Sequence, residues 1–288
     1  MGVNIQTIKD IRIYLSGELD GLYPEQEISA LTNIIIKTLL GVTKLHQIYH
    51  NDQEISQIHS AKCIKVCNEL KTGKPVQYIL GETFFYGCQI RVNPATLIPR
   101  QETEELVHHI LKENKRFNGN IIDFGTGSGC IAIALAENLP GSVITGIDNS
   151  EEALEVARGN AVLNNVKVSF HKGDILNFDL SSVPEAEIIV SNPPYVRDSE
   201  KKLMSRNVLD YEPHQALFVD DSDPLIFYRA ILRISANVLQ KGGYVWFEIN
   251  EAFADLMLEL LSSFNYINIR IIKDINGKDR IITGLKNG

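Results

Sequence analysis

The chain has 288 residues, 44% of them hydrophobic and 22% charged, with a formal net charge of −8. That length suits one or two domains with a sizeable core. The acidic balance, with no basic run, argues against duplex nucleic acid as the main ligand, and no apolar run approaches the roughly 20 residues that cross a bilayer. The start, MGVNIQTIKD, has no apolar leader core, and Gln6 stands where N-myristoylation wants Ser or Thr. A cytoplasmic protein that does not engage a membrane is expected.

Residues 1–75 read as a small helical domain. Ile5, Ile8, Ile11, Ile13 and Leu15 open one apolar-rich helix. Ile28, Leu31, Ile34, Ile35 and Leu39 recur at helical spacing over Glu25 to Leu40. A further helix runs from Ser56 to Lys71, stopped by Thr72-Gly73-Lys74-Pro75. It carries Cys63 and Cys67 on one face; with no second Cys or His pair at ligand spacing, no metal site is expected. Cys88 and Cys130 add no disulfide framework. Residues 76–95 change character to aromatic and β-branched runs around glycines, which predicts a β-hairpin linker. Pro99 then breaks the chain before a helix over about Gln101 to Lys115, whose acids crowd its first turn. His108 and His109 on it read as packed or exposed side chains, not ligands.

Residues 96–288 read as an α/β domain, a doubly wound and mostly parallel sheet. Strands are predicted at Asn120–Phe124, Val143–Ile147, Val166–Phe170, Glu187–Ser191, Gly243–Glu248, Tyr266–Lys273 and Asp279–Leu285, with helices between the first six. Only Asp274–Lys278 joins the last two. A parallel crossover needs a dozen or more residues, so the seventh strand runs antiparallel or leaves the sheet.

Four successive strand ends carry chemistry. The first ends Asp123-Phe124 and runs into Gly125-Thr126-Gly127-Ser128-Gly129 before a helix from Cys130. Glycines let backbone approach a ligand closely. The G-x-G-x-G spacing is neither the G-x-G-x-x-G of dinucleotide sites nor a P-loop, and suits a nucleoside-type ligand. The second strand ends at Asp148, 23 residues beyond Gly125, where an acid can accept from a ribose diol. The third is followed by Asp174 and Ile175, an acid for an exocyclic amine and an apolar face for a ring. Each acid alone also reads as a helix cap; the ordered set at one sheet edge does not. The fourth ends Asn192-Pro193-Pro194-Tyr195. Two prolines stop strand and helix alike, so Asn192 and the backbone carbonyls are held at the carboxyl edge, where open α/β sheets bind ligands. Rigid acceptors followed by an aromatic ring suit a flat amide or amino nitrogen. Residues 196–223 form a long polar insertion, read as a lid or recognition loop, with His214 structural.

These motifs resemble those of class I S-adenosylmethionine-dependent methyltransferases. Pro75–Tyr78 with Gly81, Leu97-Ile98-Pro99-Arg100 with Glu102-Thr103-Glu104, Glu212-Pro213 with Ala216-Leu217, Lys241-Gly242-Gly243 and Asp279-Arg280 narrow the resemblance to the peptide-chain release factor glutamine N5-methyltransferases. Two departures stand out: Gln101 replaces a usual proline, and Asn250 follows Phe247-Glu248-Ile249 where the family usually has glycine. The resemblance implies S-adenosyl-L-methionine bound by Gly125, Thr126, Gly127, Ser128, Gly129, Asp148, Asp174, Ile175 and Asn192. It implies catalysis by Asn192, Pro193 and Tyr195, with Pro194 joining them in substrate binding, and a pocket shaped by Phe84, Phe85 and Arg100. The implied substrate is the glutamine of a Gly-Gly-Gln motif in class 1 release factors, docked by the helical domain. The expected protein is a monomer without a direct nucleic-acid partner. The competing readings are an adenine-N6 nucleic-acid methyltransferase, since Asn-Pro-Pro-Tyr also suits a flipped base, a non-catalytic cofactor-binding adaptor, and a nicotinamide dehydrogenase, which the glycine spacing disfavours.

Overall fold

A computed structural model describes residues 5–179 and 183–287; the first four residues, read above for leader and lipidation signals, lie outside them. The chain forms two compact units, Met1–Gly81 with Arg206–Tyr211, and Glu82–Ser205 with Glu212–Gly288.

In the first unit, α1 (Ile8–Leu19) opens on a capping box in which Thr7 Oγ1 accepts from the Asp10 N–H and Asp10 accepts from the Thr7 N–H. Its Ile8, Ile11, Leu15 and Leu19 make one buried stripe. The next helix, α2 (Glu25–Leu40), ends at Gly41, whose left-handed φ of 67° lets its N–H reach the Lys37 carbonyl. The short α3 (Lys44–Tyr49) has no counterpart in the sequence reading, and the reason is visible: Leu45, Ile48 and Tyr49 are exposed and only Gln47 is buried, so it has no apolar face to read. Cys63 and Cys67 on α4 (Gln57–Leu70) are core residues, and burial pushes the Cys63 thiol up to about 12. The turn of helix α5 (Val76–Leu80) follows Pro75 where the hairpin was expected to begin; a proline just before a first turn favours helix as readily as strand.

The second unit opens with that hairpin. Strands β1 (Glu82–Phe85) and β2 (Cys88–Arg91) pair antiparallel across Tyr86 and Gly87, both at positive φ as a two-residue hairpin loop requires. Helix α6 (Gln101–Glu113) buries Thr103, Leu106, Val107 and Ile110, a clean helical stripe whose first member is polar. There follow β3 (Asn120–Phe124), α7 (Cys130–Asn138), β4 (Val143–Asp148), α8 (Glu151–Leu163), β5 (Ser169–Lys172) and β6 (Ala186–Ser191). Next come β7 (Val196–Arg197), α9 (Arg206–Tyr211, part of the first unit) and β8 (Phe218–Val219). The chain ends with α10 (Ile226–Val238), β9 (Leu239–Glu248), α11 (Ala254–Ser263), β10 (Tyr266–Lys273) and β11 (Asp279–Lys286).

Seven strands form one sheet in the order β10-β11-β9-β6-β3-β4-β5. Strand β11 lies antiparallel between β9 and β10, and the other neighbouring pairs are parallel. The expected antiparallel seventh strand is therefore present, inserted one place inward from the edge. Two local differences have physical causes. Strand β5 starts at Ser169 rather than Val166, because the Asn165 and Val166 N–H groups close the end of α8 on the Val162 and Ala161 carbonyls, with Asn165 at φ 55°; this is a Schellman closure, and it uses the N–H a strand would need. Between β5 and β6 the described residues hold a single 3₁₀ turn, Ile175–Asn177, capped by Asp174, rather than an α-helix.

The core of this unit packs α10 and α11 onto one sheet face around Ile122, Phe124, Ile189 and Phe247. Burial of aliphatic and aromatic side chains here, at roughly 1.5–3 kcal/mol each, holds β6 in the middle of the sheet. The parallel register then aligns the strand ends. Phe124 is paired with Ile147 and with Ser191, and Ser191 with Phe247. The next residue on each strand, Gly125, Asp148, Asn192 and Glu248, stands in one row along the carboxyl edge.

Candidate functional site

That row borders a cleft enclosing about 730 Å³ of space that opens to solvent, within the range of small-molecule sites. Gly125 and Gly127 form one wall at φ 71° and 54°, with nothing within 4 Å of where a Cβ would stand. Asp148 is fixed beside them: its Oδ2 accepts from the Gly127 N–H at 2.8 Å and its Oδ1 from the Ser150 N–H at 3.0 Å. Burial raises its pKa, and those backbone donors oppose the rise. Ser150, not Asp148, caps α8. Ile175 and Phe227 supply apolar wall, and Asp174 lines the rim. Both Asp174 oxygens already accept bonds, from the Leu176 N–H and from Asn177 Nδ2.

Thr126, Ser128 and Gly129 stand behind the loop, away from the cavity lining. Thr126 donates to buried Asp123 at 2.6 Å. The Ser128 carbonyl accepts from Asn160 Nδ2, which also bonds the Arg91 carbonyl. Gly129 is a packing glycine: a Cβ there would come within 3.1–3.2 Å of Ala157, Ile133 and Phe170.

On the other side of the cavity, Asn192 and Pro194 line the wall while Pro193 is buried. Asn192 Nδ2 donates to Thr103 Oγ1 at 3.1 Å. Thr103 in turn donates to Glu248 Oε2 at 2.6 Å, and Tyr195 donates its phenol to Glu248 Oε1 at 2.8 Å. The Glu248 backbone carbonyl accepts from Tyr228. Glu248 is 1% exposed. Desolvation raises its pKa, and the bonds from Thr103 and Tyr195 and the nearby Arg280 guanidinium oppose the rise. Arg280 is itself fixed to Asp274 and to the Ile249 carbonyl. Burial and the adjacent Glu248 push the Tyr195 phenol well above its usual pKa, so it stays a donor.

The segments flanking the cleft are tied together by Glu212. It is paired with Arg100 at 2.5 Å and accepts from the Ile98 N–H. Leu97 on one side of this clamp, and Gln215 and Ala216 on the other, line the cavity. Phe84 is exposed, Phe85 is buried in the core, and neither lines the cavity. His214 packs edge-on against Phe218.

Two family models match the chain, a methyltransferase small domain over residues 101–212 and a PrmC N-terminal domain over residues 14–81. The chain is 45% identical to the release factor glutamine methyltransferase of Flavobacterium psychrophilum over 280 residues, which is 96% of this chain and 98% of that protein. It is 43% identical to the protein of the same name from Bacteroides thetaiotaomicron, over 95% of this chain and 98% of that one. The chain belongs to the release factor glutamine methyltransferase family. A methyltransferase from Pyrococcus furiosus shares the fold, with a TM-score of 0.53 at 18% identity over 81% of this chain and all of that one.

For a methyltransferase, the cleft fits S-adenosyl-L-methionine, its methyl donor. Two side-chain-free glycines, a carboxylate with lone pairs to spare and two apolar side chains give room, a hydroxyl acceptor and a surface for a ring. Gln215 and Ala216 reach this wall from the insertion expected to act as a lid or recognition loop, whereas Phe227, carried in by α10, has no signal in the sequence. Thr103 and Glu248 lie in motifs that assign them no role; the one legible hint was an acid ending an otherwise apolar strand, Tyr244-Val245-Trp246-Phe247-Glu248.

Proposed function

We propose that this chain transfers a methyl group from S-adenosylmethionine to the side-chain amide nitrogen (N5) of the glutamine in the Gly-Gly-Gln motif of class 1 peptide chain release factors. The observation that carries the reading is the state of Asn192. Its amide nitrogen is engaged by Thr103, and its Oδ1, at the cavity wall, accepts no bond among the described residues. A planar amide NH₂ is the group that such an acceptor receives.

An amide nitrogen is a weak nucleophile because its lone pair is delocalised into the carbonyl. Asn192 Oδ1 and the Pro193 carbonyl accept the two amide N–H bonds and favour the positive charge that develops on nitrogen. The ring of Tyr195, anchored at its hydroxyl by Glu248, packs against the amide plane. Together they aim the nitrogen at the methyl carbon, about 3–3.5 Å away in a reactive geometry. The cofactor supplies that carbon as an electrophilic methyl on a sulfonium. The nitrogen–carbon bond forms as the carbon–sulfur bond breaks, and the nitrogen then releases a proton to water, so no strong base is required. Gly125, Gly127, Asp148 and Ile175 hold the cofactor, and Thr126, Ser128 and Gly129 shape the loop behind them. Asp174 contributes through the turn it caps.

Residues 1–75 serve as the recognition domain, 76–95 as the linker and 96–288 as the catalytic domain. The protein acts as a cytoplasmic monomer on protein rather than nucleic acid; the net charge of −8 supports the last part of that reading. Among the described residues no helix is long and apolar enough to cross a membrane. The test is incubation with methyl-labelled cofactor and three acceptors: a release factor, the same factor with its Gly-Gly-Gln glutamine replaced, and duplex DNA. Label on the first alone is expected. Label on DNA would overturn the substrate class.

A further inference from the structure

We infer that Thr103 and Glu248 are positioning residues that set the polarity of the Asn192 carboxamide and thereby decide that the site accepts an amide NH₂. The inference rests on the reading that Asn192 Oδ1 grips the substrate amide.

Donors and acceptors decide the orientation. An ionised carboxylate only accepts, whereas a hydroxyl has one proton to give and lone pairs to receive. Both Glu248 oxygens face O–H groups, Thr103 at 2.6 Å and Tyr195 at 2.8 Å. The single Thr103 proton is thus committed to Glu248. Toward Asn192 the same hydroxyl can only accept, so the carboxamide must turn its NH₂ to Thr103. Its oxygen is left for the cavity. Asn192 is symmetric enough in shape to sit either way round, and among the described residues no other side-chain hydrogen bond of Asn192 selects one orientation. The selection is made by a buried acid 56 residues along the chain, acting through a threonine brought in by the first turn of α6.

Replacing Glu248 by Gln keeps the shape but no longer fixes the polarity. With the new NH₂ turned to Thr103 and the oxygen left to Tyr195, Thr103 can donate to Asn192 and the carboxamide flips to present its own NH₂ to the cavity. That face rejects an amide NH₂ and receives an acceptor. With the new amide turned the other way the wild-type polarity survives, so Thr103→Val is the decisive arm. The experiment compares Glu248→Gln, Thr103→Val, Thr103→Ser and Asn192→Ala with wild type, measuring kcat and KM for the release factor, cofactor Kd and Tm. It adds inhibition by a release factor whose acceptor glutamine is changed to Glu, an acceptor-only side chain. Glu248→Gln and Thr103→Val should lower kcat about 10- to 100-fold, the scale of a charge-linked hydrogen bond, with cofactor Kd within about twofold. Thr103→Ser keeps the hydroxyl and should restore most of kcat. Glu248→Gln should also narrow or reverse the preference for the Gln factor over the Glu factor, which a general loosening of the fold would not do. Should Glu248→Gln fail to fold, the Val and Ser pair at position 103 decides alone. Wild-type kcat in Glu248→Gln and Thr103→Val, beside an inactive Asn192→Ala, would overturn the inference. An active Asn192→Ala would instead overturn the reading of the site on which it rests.

Discussion

The two halves of the carboxyl edge are held in different ways. At the β3–β4 end the cleft is set by backbone: glycines at positive φ, and Asp148 pinned by the Gly127 and Ser150 N–H groups. At the β6–β9 end it is set chiefly by a chain of side chains, Asn192 to Thr103 to Glu248 to Tyr195. A backbone-built wall needs small residues and fits any ligand of the right outline. A side-chain-built wall fixes the direction of individual protons. The first suits a cofactor shared by many chemistries, and the second suits recognition of one nitrogen.

Two substitutions would break that division most directly. Asn192→Ala removes the amide acceptor and should lower kcat on the order of 10²–10³-fold, the scale seen when one preorganised polar group is taken from a reaction centre. Cofactor affinity, measured by calorimetry, should change little. Asp148→Asn should do the reverse, weakening cofactor binding about 10- to 100-fold through loss of charge-assisted bonds. Its kcat at saturating cofactor should stay near wild type. Equal loss of both quantities in either variant would erase the distinction between the halves.

The same division explains what the sequence could disclose. The glycine loop, Asp148 and the Asn-Pro-Pro-Tyr turn are local patterns, each written within a few residues, and the strand alternation with its short last hairpin dictates the sheet. Thr103 and Glu248 join through contacts 89 and 145 residues apart, and only the packing of α6 against the end of β9 brings them together. Phe227 was hidden for the same reason. Misplacement of β5 has a smaller cause, since the Schellman closure of α8 consumes the N–H of Val166, whose β-branched side chain suggests strand. The helix α3 was invisible because it lacks the apolar face by which helices are read.

Within the backbone-built half, the glycines sharpen the comparison. Gly129 has φ 80° and three side chains within 3.1–3.2 Å of where a Cβ would stand, whereas Gly127 has φ 54° and open space. Gly129→Ala should therefore destabilise the fold by about 1–3 kcal/mol through strain and overpacking. Gly127→Ala should cost about 1–2 kcal/mol from its left-handed backbone alone and, because it lines the cleft, should weaken cofactor binding as well. Thermal unfolding with and without cofactor separates the two: a cofactor-dependent defect in Gly129→Ala larger than that in Gly127→Ala would contradict the assignment of one to packing and the other to the wall.

The smallest effect concerns the acid beneath the loop. Asp123 is fully buried; desolvation, opposed by the bond from Thr126 and aided by nearby Asp148, lifts its pKa from 3.8 to about 7. Among the described residues its Oδ1 makes no hydrogen bond of good geometry, and the Ala132 N–H only opposes the rise, consistent with a carboxyl that prefers to keep its proton. The folded chain therefore holds that proton more tightly than the unfolded chain does. Between 3.8 and about 7 the native state binds more protons than the unfolded state, so stability falls as pH rises through this window. Asp123→Asn has no proton to lose and should show a shallower decline. Other carboxylates titrate in both proteins, so the informative quantity is the difference in Tm between wild type and variant as a function of pH. That difference should shift steadily in favour of Asp123→Asn from pH 4 to pH 7, the direction that a native carboxyl protonated up to about 7 imposes. A difference independent of pH would mean that Asp123 is ionised in the native state, and that the glycine loop rests on a buried charge rather than a buried acid.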